Sequence, residues 1–212
     1  MTDSLAALAE DGTSSGLPSA WVLRFLHLIP AGGRVLDLAC GKGRHTRLLA
    51  ARGHPVTAVD IDVSGLDGLR NNPHIEIRQI DLETGAWPFS SERFAAVLVC
   101  NYLHRPHLAR LADTLLPDGV LLMETFARGN EAHGRPRNPE HLLAPGELLA
   151  AFAPRLQVVA YEQGLELLPR PAVRQRICAL NGPGCAALNA AWATKPPQLP
   201  RCCCRRAPRC AR

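Results

Sequence analysis

The sequence lacks any long apolar run and any basic segment at its start. None of its apolar stretches reaches the roughly 18 uninterrupted residues that are needed to span a bilayer. The first sixteen residues, MTDSLAALAEDGTSSG, contain no positively charged region followed by an apolar one, as a secretory signal would. We therefore expect a cytoplasmic protein that has no membrane partner.

The body of the chain has little net charge, although the whole sequence carries +5 at pH 7. Six positive charges, from Lys195 and the five arginines that begin at Arg201, lie in the last 18 residues, which contain no acid. The rest of the chain therefore carries a net charge of about −1. Nucleic-acid-binding proteins usually show a basic face or stripe, so the composition disfavours a nucleic-acid partner. It leaves the oligomeric state open.

Four of the eight cysteines crowd the last eleven residues. They are Cys202, Cys203, Cys204 and Cys210. Three adjacent cysteines cannot all face one ion without strain, and no second pair completes a zinc site, so no metal is expected. Residues 183–212 are interpreted as a disordered tail, whose Cys-, Arg- and Pro-rich composition is typical of an out-of-frame read. Residues 1–17 are predicted to be a flexible N-terminus, which leaves 18–182 as one folded domain.

From Arg34 to Gly182, β-branched runs alternate with helical patterns, which is typical of βαβ units around a mostly parallel sheet. Seven strands are predicted, at residues 34–39, 55–60, 75–80, 94–100, 119–125, 156–162 and 172–180. The last two are joined by nine residues, too few for a helical crossover, so we expect them to pair antiparallel. The predicted fold class is α/β: a Rossmann-like seven-stranded, mostly parallel sheet with helices on both faces and a C-terminal antiparallel hairpin.

Proline, glycine and capping residues mark the predicted helices. LPSAWVLRFLHLI has Ser19 as its N-cap, and a further helix is expected to begin near Val63 with Asp62 as its cap. The other predicted helices lie in HTRLLAARG, RPHLARLADTLLPDG and PGELLAAFAP.

The segment VLDLACGKGRHTRLLA contains a strand, a glycine turn and the start of a helix. Small residues at Ala39, Gly41 and Gly43 let the backbone approach a ligand closely, and the new helix directs free N–H groups toward it. A dinucleotide fingerprint read from Gly41 would need a third glycine where Thr46 stands. A phosphate loop is also absent, because Lys42 precedes Gly43 without the required spacer.

Asp37, inside the strand before this turn, adds a negative charge that disfavours a phosphate and favours a cationic ligand. A turn-capping role without a ligand is the alternative for this carboxylate. Residues 37–43, DLACGKG, resemble the D-x-x-C-G-x-G motif of the class I S-adenosylmethionine-dependent methyltransferases. The sequence departs from the commonest form of that motif at Ala39, where glycine is usual. The resemblance implies S-adenosylmethionine as the cofactor, bound in part by Asp37, Ala39, Gly41 and Gly43.

Three further strand ends match the same family. They are Asp60 and Ile61 after the second strand, Asp81 and Leu82 after the third, and Asn101 with Tyr102 after the fourth. The resemblance implies that these pairs bind, in that order, the ribose hydroxyls, the adenine and the methionine part of the cofactor. Asp60 lies 19 residues after Gly41, close to the spacing that a ribose-binding carboxylate requires.

A loop of about twenty residues follows the fifth predicted strand and is longer than connections usually are. Its sequence within residues 124–152 is similar to a bacterial subset near the tellurite-resistance-type methyltransferases. Long loops at the carboxyl edge of a sheet are often lids or binding elements, so acceptor recognition is predicted here, with simple solvation of the loop as the alternative. The substrate-binding candidates are Asn130, Arg135 and Asn138, together with Glu124, His133, Arg137 and His141.

Methyl transfer is an in-line displacement that depends chiefly on positioning, so a general base is optional. Candidates for a base are Tyr102, His104 and Glu124. The predicted function is methyl transfer to a small molecule, such as a thiol or a metalloid oxyanion. An RNA or protein methyltransferase and a non-catalytic S-adenosylmethionine-binding module stay as alternatives, although the N-P-P-[YF] tetrad of exocyclic-amine methyltransferases is absent.

Three histidines near these motifs are interpreted as structural or solvent-facing. His45 follows the glycine turn on a helix, where a packing role is favoured over ligand binding. His104 and His107 are spaced as i and i+3, but no third ligand accompanies them, so a metal site is not expected.

Overall fold

The computed structural model describes residues 16–168 and 170–183. The predictions for residues 1–15 and for the cysteine-rich tail fall outside these residues. No helix within the described part is long and apolar enough to cross a membrane.

A seven-stranded sheet forms the centre of the molecule, in the order β3-β2-β1-β4-β5-β7-β6. The strands are β1 (Val35–Leu38), β2 (Val56–Asp60), β3 (Ile75–Gln79), β4 (Phe94–Cys100), β5 (Leu115–Phe126), β6 (Gln157–Glu166) and β7 (Ala172–Leu180). The first five pair in parallel, and β7 is antiparallel to both β5 and β6. This sheet, with helices around it, confirms the predicted fold class.

The described residues also contain four α-helices and four short 3-10 helices. The α-helices are α1 (Ala20–Phe25), α2 (Arg44–Ala51), α3 (Arg105–Asp113) and α4 (Glu147–Phe152). The 3-10 helices are Leu26–Leu28, Ser64–Leu69, Asn130–Ala132 and Pro139–His141. Ser19 caps α1 as predicted, because its hydroxyl accepts the N–H groups of Trp21 and Val22 at 3.1 and 3.4 Å.

Alternate side chains of the central strands enter two cores, one on each face of the sheet. Val35 packs with Phe25 of α1 and Leu49 of α2. Leu36, the next residue along β1, packs in the opposite cluster with Leu111 of α3. The layered arrangement places the carboxyl ends of β1 to β4 together at one edge of the sheet, where open parallel sheets bind their ligands.

Two predicted boundaries were wrong at the junction of α3 and β5. The predicted helix RPHLARLADTLLPDG ends at Asp113, and β5 begins at Leu115, four residues before the predicted strand. Thr114 ends the helix, because its hydroxyl donates to the Arg110 carbonyl at 2.7 Å and accepts the Trp87 indole N–H at 3.1 Å. Leu115 then pairs with Phe94, which extends the strand beyond its most apolar part.

Candidate functional site

The turn between β1 and α2 places three small residues, at alternate positions, in left-handed backbone conformations. Ala39, Gly41 and Gly43 have φ angles of 53°, 55° and 76°. A side chain at Gly41 would meet no atom within 4 Å, whereas a Cβ at Gly43 would lie 2.4 Å from Cδ2 of Leu66. Gly41 thus faces open space, and Gly43 packs against the 3-10 helix Ser64–Leu69.

This turn forms one wall of a cleft of about 920 Å³ at the carboxyl edge of the sheet. Most of the sequence-predicted cofactor residues line it, together with one candidate base: Ala39, Gly41, Asp60, Ile61, Asp81, Leu82, Asn101 and Tyr102. The cleft has the volume of a typical cofactor site. The strand ends predicted to act together therefore meet at one place.

Asp60, at the end of β2, is held by two backbone N–H groups. Its Oδ2 accepts the Gly41 N–H at 2.7 Å, and its Oδ1 accepts the Asp62 N–H at 3.1 Å. These bonds fix the carboxylate against the glycine turn. Asp62 in turn accepts the Ser64 N–H at 3.0 Å, but the N-cap of the 3-10 helix Ser64–Leu69 is Val63 and not the predicted Asp62. The helix predicted near Val63 is therefore present, although as a 3-10 helix.

The end of β3 is organised by hydrogen bonds to its own backbone. Asp81 accepts the Glu83 N–H at 2.9 Å, which bends the chain immediately after the strand. The Leu82 carbonyl lies 2.7 Å from Nε2 of His107. A carbonyl can only accept, so Nε2 of His107 carries the proton. Burial lowers the pKa of His107, and this histidine supports Leu82 rather than standing at the surface.

Asn101 and Tyr102 follow β4 and complete the lining. Asn101 has a φ of 59°, its N–H donates to the Glu124 carbonyl at 2.9 Å, and its Oδ1 accepts from Nη1 of Arg174 at 2.6 Å. The Tyr102 hydroxyl is buried and has no hydrogen-bond partner within the described residues. Burial raises the pKa of Tyr102, so this hydroxyl is neutral and a poor proton acceptor at ordinary pH.

Asp37 does not line the cleft. It lies beneath the turn at 1% exposure, and its Oδ2 accepts the Thr46 hydroxyl at 2.6 Å. Burial raises its pKa to about 7, against the opposing effect of the Thr46 hydrogen bond. The Asp37–Thr46 pair ties β1 to α2 and supports the turn from below.

The other two candidate bases, His104 and Glu124, are also outside the cleft lining. Glu124 is 5% exposed, and its Oε2 lies 3.1 Å from Nε of Arg176. The His104 ring packs against the His107 ring, with centroids 4.6 Å apart. No group of three His, Cys, Asp or Glu side chains suited to a metal ion occurs in the part of the chain that the structure describes.

The long loop after β5 is held mainly by its own polar residues. Asn130 is 1% exposed; its Oδ1 accepts the Val173 N–H and its Nδ2 donates to the Pro136 carbonyl, both at 3.2 Å. Asn138 accepts the Glu140 N–H at 3.1 Å and caps a 3-10 helix. The exposed loop residues, which have no place in the cleft lining, are His133, Arg135, Arg137 and His141.

Several cleft residues were missed by the sequence analysis: Gly16, Cys40, Lys42, Arg44, Ile80, Glu83, Thr84 and Cys100, together with His45, for which packing was favoured. His45 is buried and its Nε2 accepts the Ser19 N–H at 3.1 Å. Burial, with a smaller contribution from Arg44, lowers the pKa of His45 to about 3, so the ring is neutral. The signal was available in GKGRH, since the first turn of a helix after a glycine turn faces the same ligand as the turn.

Charge is distributed unevenly along the cleft. Asp60, Asp81 and Glu83 line the side formed by β2 and β3, whereas Lys42 and Arg44 lie on the side of the glycine turn. Such a site suits a ligand with hydroxyl and amino groups at one end and an anionic group at the other.

Comparison with known proteins agrees with this geometry. Residues 35–119 match a family described as a methyltransferase domain. The trans-aconitate 2-methyltransferase of Rhizobium meliloti (strain 1021) is 33% identical over 132 residues, which cover 59% of this chain and 48% of that protein. The chain thus spans about half the length of this curated relative.

Two solved structures have a similar fold. TehB from Haemophilus influenzae gives a TM-score of 0.67 at 15% identity and covers 84% of this chain and 66% of its own. The 1,6-didemethyltoxoflavin-N1-methyltransferase of Burkholderia thailandensis, with bound 1,6-didemethyltoxoflavin and S-adenosylhomocysteine, gives 0.59 at 20% identity and covers 85% of both chains. At these identities the likeness concerns the fold.

The matched domain begins at β1 and contains the glycine turn, β2, β3 and β4, the elements whose ends form the cleft. S-adenosylmethionine is the methyl donor of this class, which agrees with the cofactor predicted from the sequence. The chain therefore carries a methyltransferase domain folded as in the S-adenosylmethionine-dependent methyltransferases, and the family predicted from its sequence is confirmed.

Proposed function

We propose that the protein transfers a methyl group from S-adenosylmethionine to a small-molecule acceptor. The observation that carries the proposal is the cleft itself, in which the Asp60 carboxylate is bonded to the Gly41 N–H at 2.7 Å beside open space. A fixed carboxylate next to an unobstructed glycine turn is what a ribose and an adjoining cationic group require. We also propose that the folded unit spans residues 18–182.

The residues present fit the cofactor. Asp60 would hold the ribose hydroxyls, Asp81 and Leu82 the adenine, and Ala39 and Gly41 would let the backbone approach the methionine part. The open space above Gly41 is a feature that a bound molecule would fill. The cofactor supplies an electrophilic methyl group; the chain supplies position and shields the reaction from water.

None of the three candidate bases is placed to remove a proton in the described part of the cleft. Tyr102 lines it but stays protonated, while His104 and Glu124 lie outside the lining. Positioning therefore carries the proposed catalysis, as suits an acceptor that is already nucleophilic, such as a thiol, a carboxylate or a metalloid oxyanion. A curated relative is a trans-aconitate methyltransferase, which supports a small anionic molecule among the acceptors to be tested.

A screen for methyl transfer tests the proposal. The protein would be incubated with S-adenosylmethionine carrying a labelled methyl group and, in separate reactions, with trans-aconitate, tellurite, a small thiol, total RNA and total protein. Labelled small-molecule product supports the proposal. Label in RNA or protein alone would replace it with the macromolecular alternative, and cofactor binding without transfer to any acceptor would favour the non-catalytic module.

A further inference from the structure

The side-chain amide of Asn101 at the mouth of the cleft is held by an arginine from the other end of the chain. Arg174 lies on β7, beyond the part of the chain that matches the methyltransferase-domain family. Its Nη1 donates to Oδ1 of Asn101 at 2.6 Å. The contact spans 73 positions of sequence.

Arg174 is itself fixed on two further sides. Its Nε lies 3.3 Å from Oε2 of Glu166, and its guanidinium carbon lies 4.2 Å from the centre of the Phe126 ring. Its side chain is 18% exposed. A guanidinium that is stacked, ion-paired and largely buried has one orientation, and it imposes that orientation on its hydrogen-bond partner.

The orientation of the Asn101 amide follows from the chemistry of the pair. Arginine has donors only, so the atom of Asn101 that faces Arg174 must be its oxygen. The amide nitrogen therefore points away from Arg174, and no hydrogen bond occupies it within the described residues. The Asn101 N–H is bonded to the Glu124 carbonyl, which fixes the backbone that carries this side chain, and the donor of Arg174 keeps the amide oxygen on its own side.

Asn101 lines the cleft, its two amide N–H donors have no partner among the described residues, and one lone pair of its oxygen is taken by Arg174. Arg44 lines the same cleft, and its guanidinium donates to the Leu17 carbonyl at 3.2 Å, the single side-chain hydrogen bond of Arg44 within the described residues. A donor amide and a guanidinium with free N–H groups complement oxygen lone pairs and negative charge. They do not complement the N–H groups of a protonated amine.

We propose that Arg174 is a positioning residue that presents Asn101 to the cleft as a hydrogen-bond donor, and that the group it meets is a carboxylate or a related oxyanion. The inference rests on the proposed function. The oxyanion has two possible sources, the methionine carboxylate of the cofactor and an anionic acceptor, and they require separate tests.

Asn101→Asp is the direct test, because it keeps an oxygen for Arg174 and replaces the amide donors with a second oxygen. Binding would be measured by calorimetry for S-adenosylhomocysteine and for 5′-methylthioadenosine, which lacks the amino acid part. Trans-aconitate would then be titrated into the S-adenosylhomocysteine complex. If the cofactor is the source, the variant binds S-adenosylhomocysteine about tenfold more weakly and 5′-methylthioadenosine unchanged. If the acceptor is the source, only the trans-aconitate affinity falls, by a similar factor.

Arg174 variants test whether the arginine acts through Asn101. Arg174→Met removes the donor, so the amide becomes free to rotate. This variant is expected to lose about half as much binding free energy as Asn101→Asp. Arg174→Lys keeps a donor and should restore most of the affinity. Arg155→Gln, which removes an exposed ion pair to Asp113 outside the cleft lining, is the matched control.

The inference would be overturned if Asn101→Asp and Arg174→Met bound both S-adenosylhomocysteine and trans-aconitate with affinities within about twofold of the wild type. Thermal melting of each variant identifies any loss of folding. Failure of the wild-type protein to bind S-adenosylhomocysteine would instead contradict the proposed function, so the two failures are distinguishable.

Discussion

Two regions of the molecule are rich in polar residues, and they use them differently. In the strand-end region, residues 35–102, the side chains of Asp60 and Arg44 line an open cleft and have unoccupied hydrogen-bonding positions. In the loop-hairpin region, residues 127–180, Asn130 and Gln175 are buried and bonded to backbone groups within that region. Residue type alone does not mark a site; the unoccupied hydrogen-bonding capacity does.

The largest expected effect is a pH dependence of the free energy of unfolding that comes from Asp37, which is buried beneath the cleft of the strand-end region. Its folded-state pKa of about 7 lies above the usual value of an aspartate, so the folded protein holds a proton that the unfolded chain has released. The free energy of unfolding should therefore fall as pH rises from about 4 to about 7, by up to about 1.4 kcal/mol per pH unit from this group, and level off above.

Asp37→Asn mimics the protonated form and provides the comparison. Urea denaturation at several pH values should show the wild type losing stability relative to the variant across that range. The contributions of the other carboxylates to the pH dependence cancel when the free energies of unfolding of the two proteins are subtracted. A difference that does not change with pH would mean that Asp37 stays ionised in the folded protein.

Asp60→Ala tests the strand-end region directly. The variant is expected to lose about 1.5 to 3 kcal/mol of S-adenosylhomocysteine binding, because charge-assisted hydrogen bonds to the ribose are lost. Asp67→Ala removes an exposed carboxylate that pairs only with Arg70 among the described residues, and it serves as the control for charge. Equal calorimetric affinities of the Asp60 and Asp67 variants would remove Asp60 from the site.

Asn130→Ala tests the opposite region. It leaves the partly buried Val173 N–H and Pro136 carbonyl without the bonds to Asn130, so the free energy of unfolding should fall by about 2 kcal/mol. The affinity for S-adenosylhomocysteine should change by less than about twofold. Chemical denaturation and calorimetry on the same preparation check both values. If the variant lost affinity and kept its full stability, Asn130 would belong to the binding site and not to the set of residues that hold the loop-hairpin region.

Two glycines of one turn provide a finer comparison. Gly43→Ala combines a left-handed φ with a Cβ only 2.4 Å from Leu66, so it should lower the free energy of unfolding by more than the about 1 kcal/mol expected from backbone strain alone. Gly41→Ala has open space around its Cβ and should cost only that strain, while its methyl group enters the cleft and weakens cofactor binding. Similar melting temperatures of the two variants would contradict the packing of Gly43.

The smallest expected effect concerns residues 195–212. Their deletion should leave the melting temperature and the S-adenosylhomocysteine affinity unchanged, because the matched domain ends well before them. Loss of binding by the shortened protein would make the cysteine-rich tail part of the functional protein.

The sequence predicted most of the fold because its signals are local. Each β-branched run became a strand, and the short link after β6 was sufficient to predict the antiparallel pairing of β6 with β7. The α3–β5 junction was misjudged, because the end of that helix depends on Trp87, a partner 27 residues away from Thr114.

The same distinction applies to the site. Asp60, Asp81 and Asn101 were predicted because they directly follow strands whose ends must converge. The burial of Asn130 and the pairing of Glu124 depend on β7, which is distant in sequence and becomes a neighbour only through the sheet order. Arg174 gave no signal of its own for that reason.

Calorimetric titration tests directly whether the strand-end region is a site for S-adenosylmethionine. The wild-type protein would be titrated with S-adenosylmethionine, with S-adenosylhomocysteine and with NAD under identical conditions. We expect saturable binding of S-adenosylmethionine and S-adenosylhomocysteine at one site and no binding of NAD. Binding of neither sulfur compound would mean that the glycine turn serves only the fold and that the strand-end region is not a site for S-adenosylmethionine.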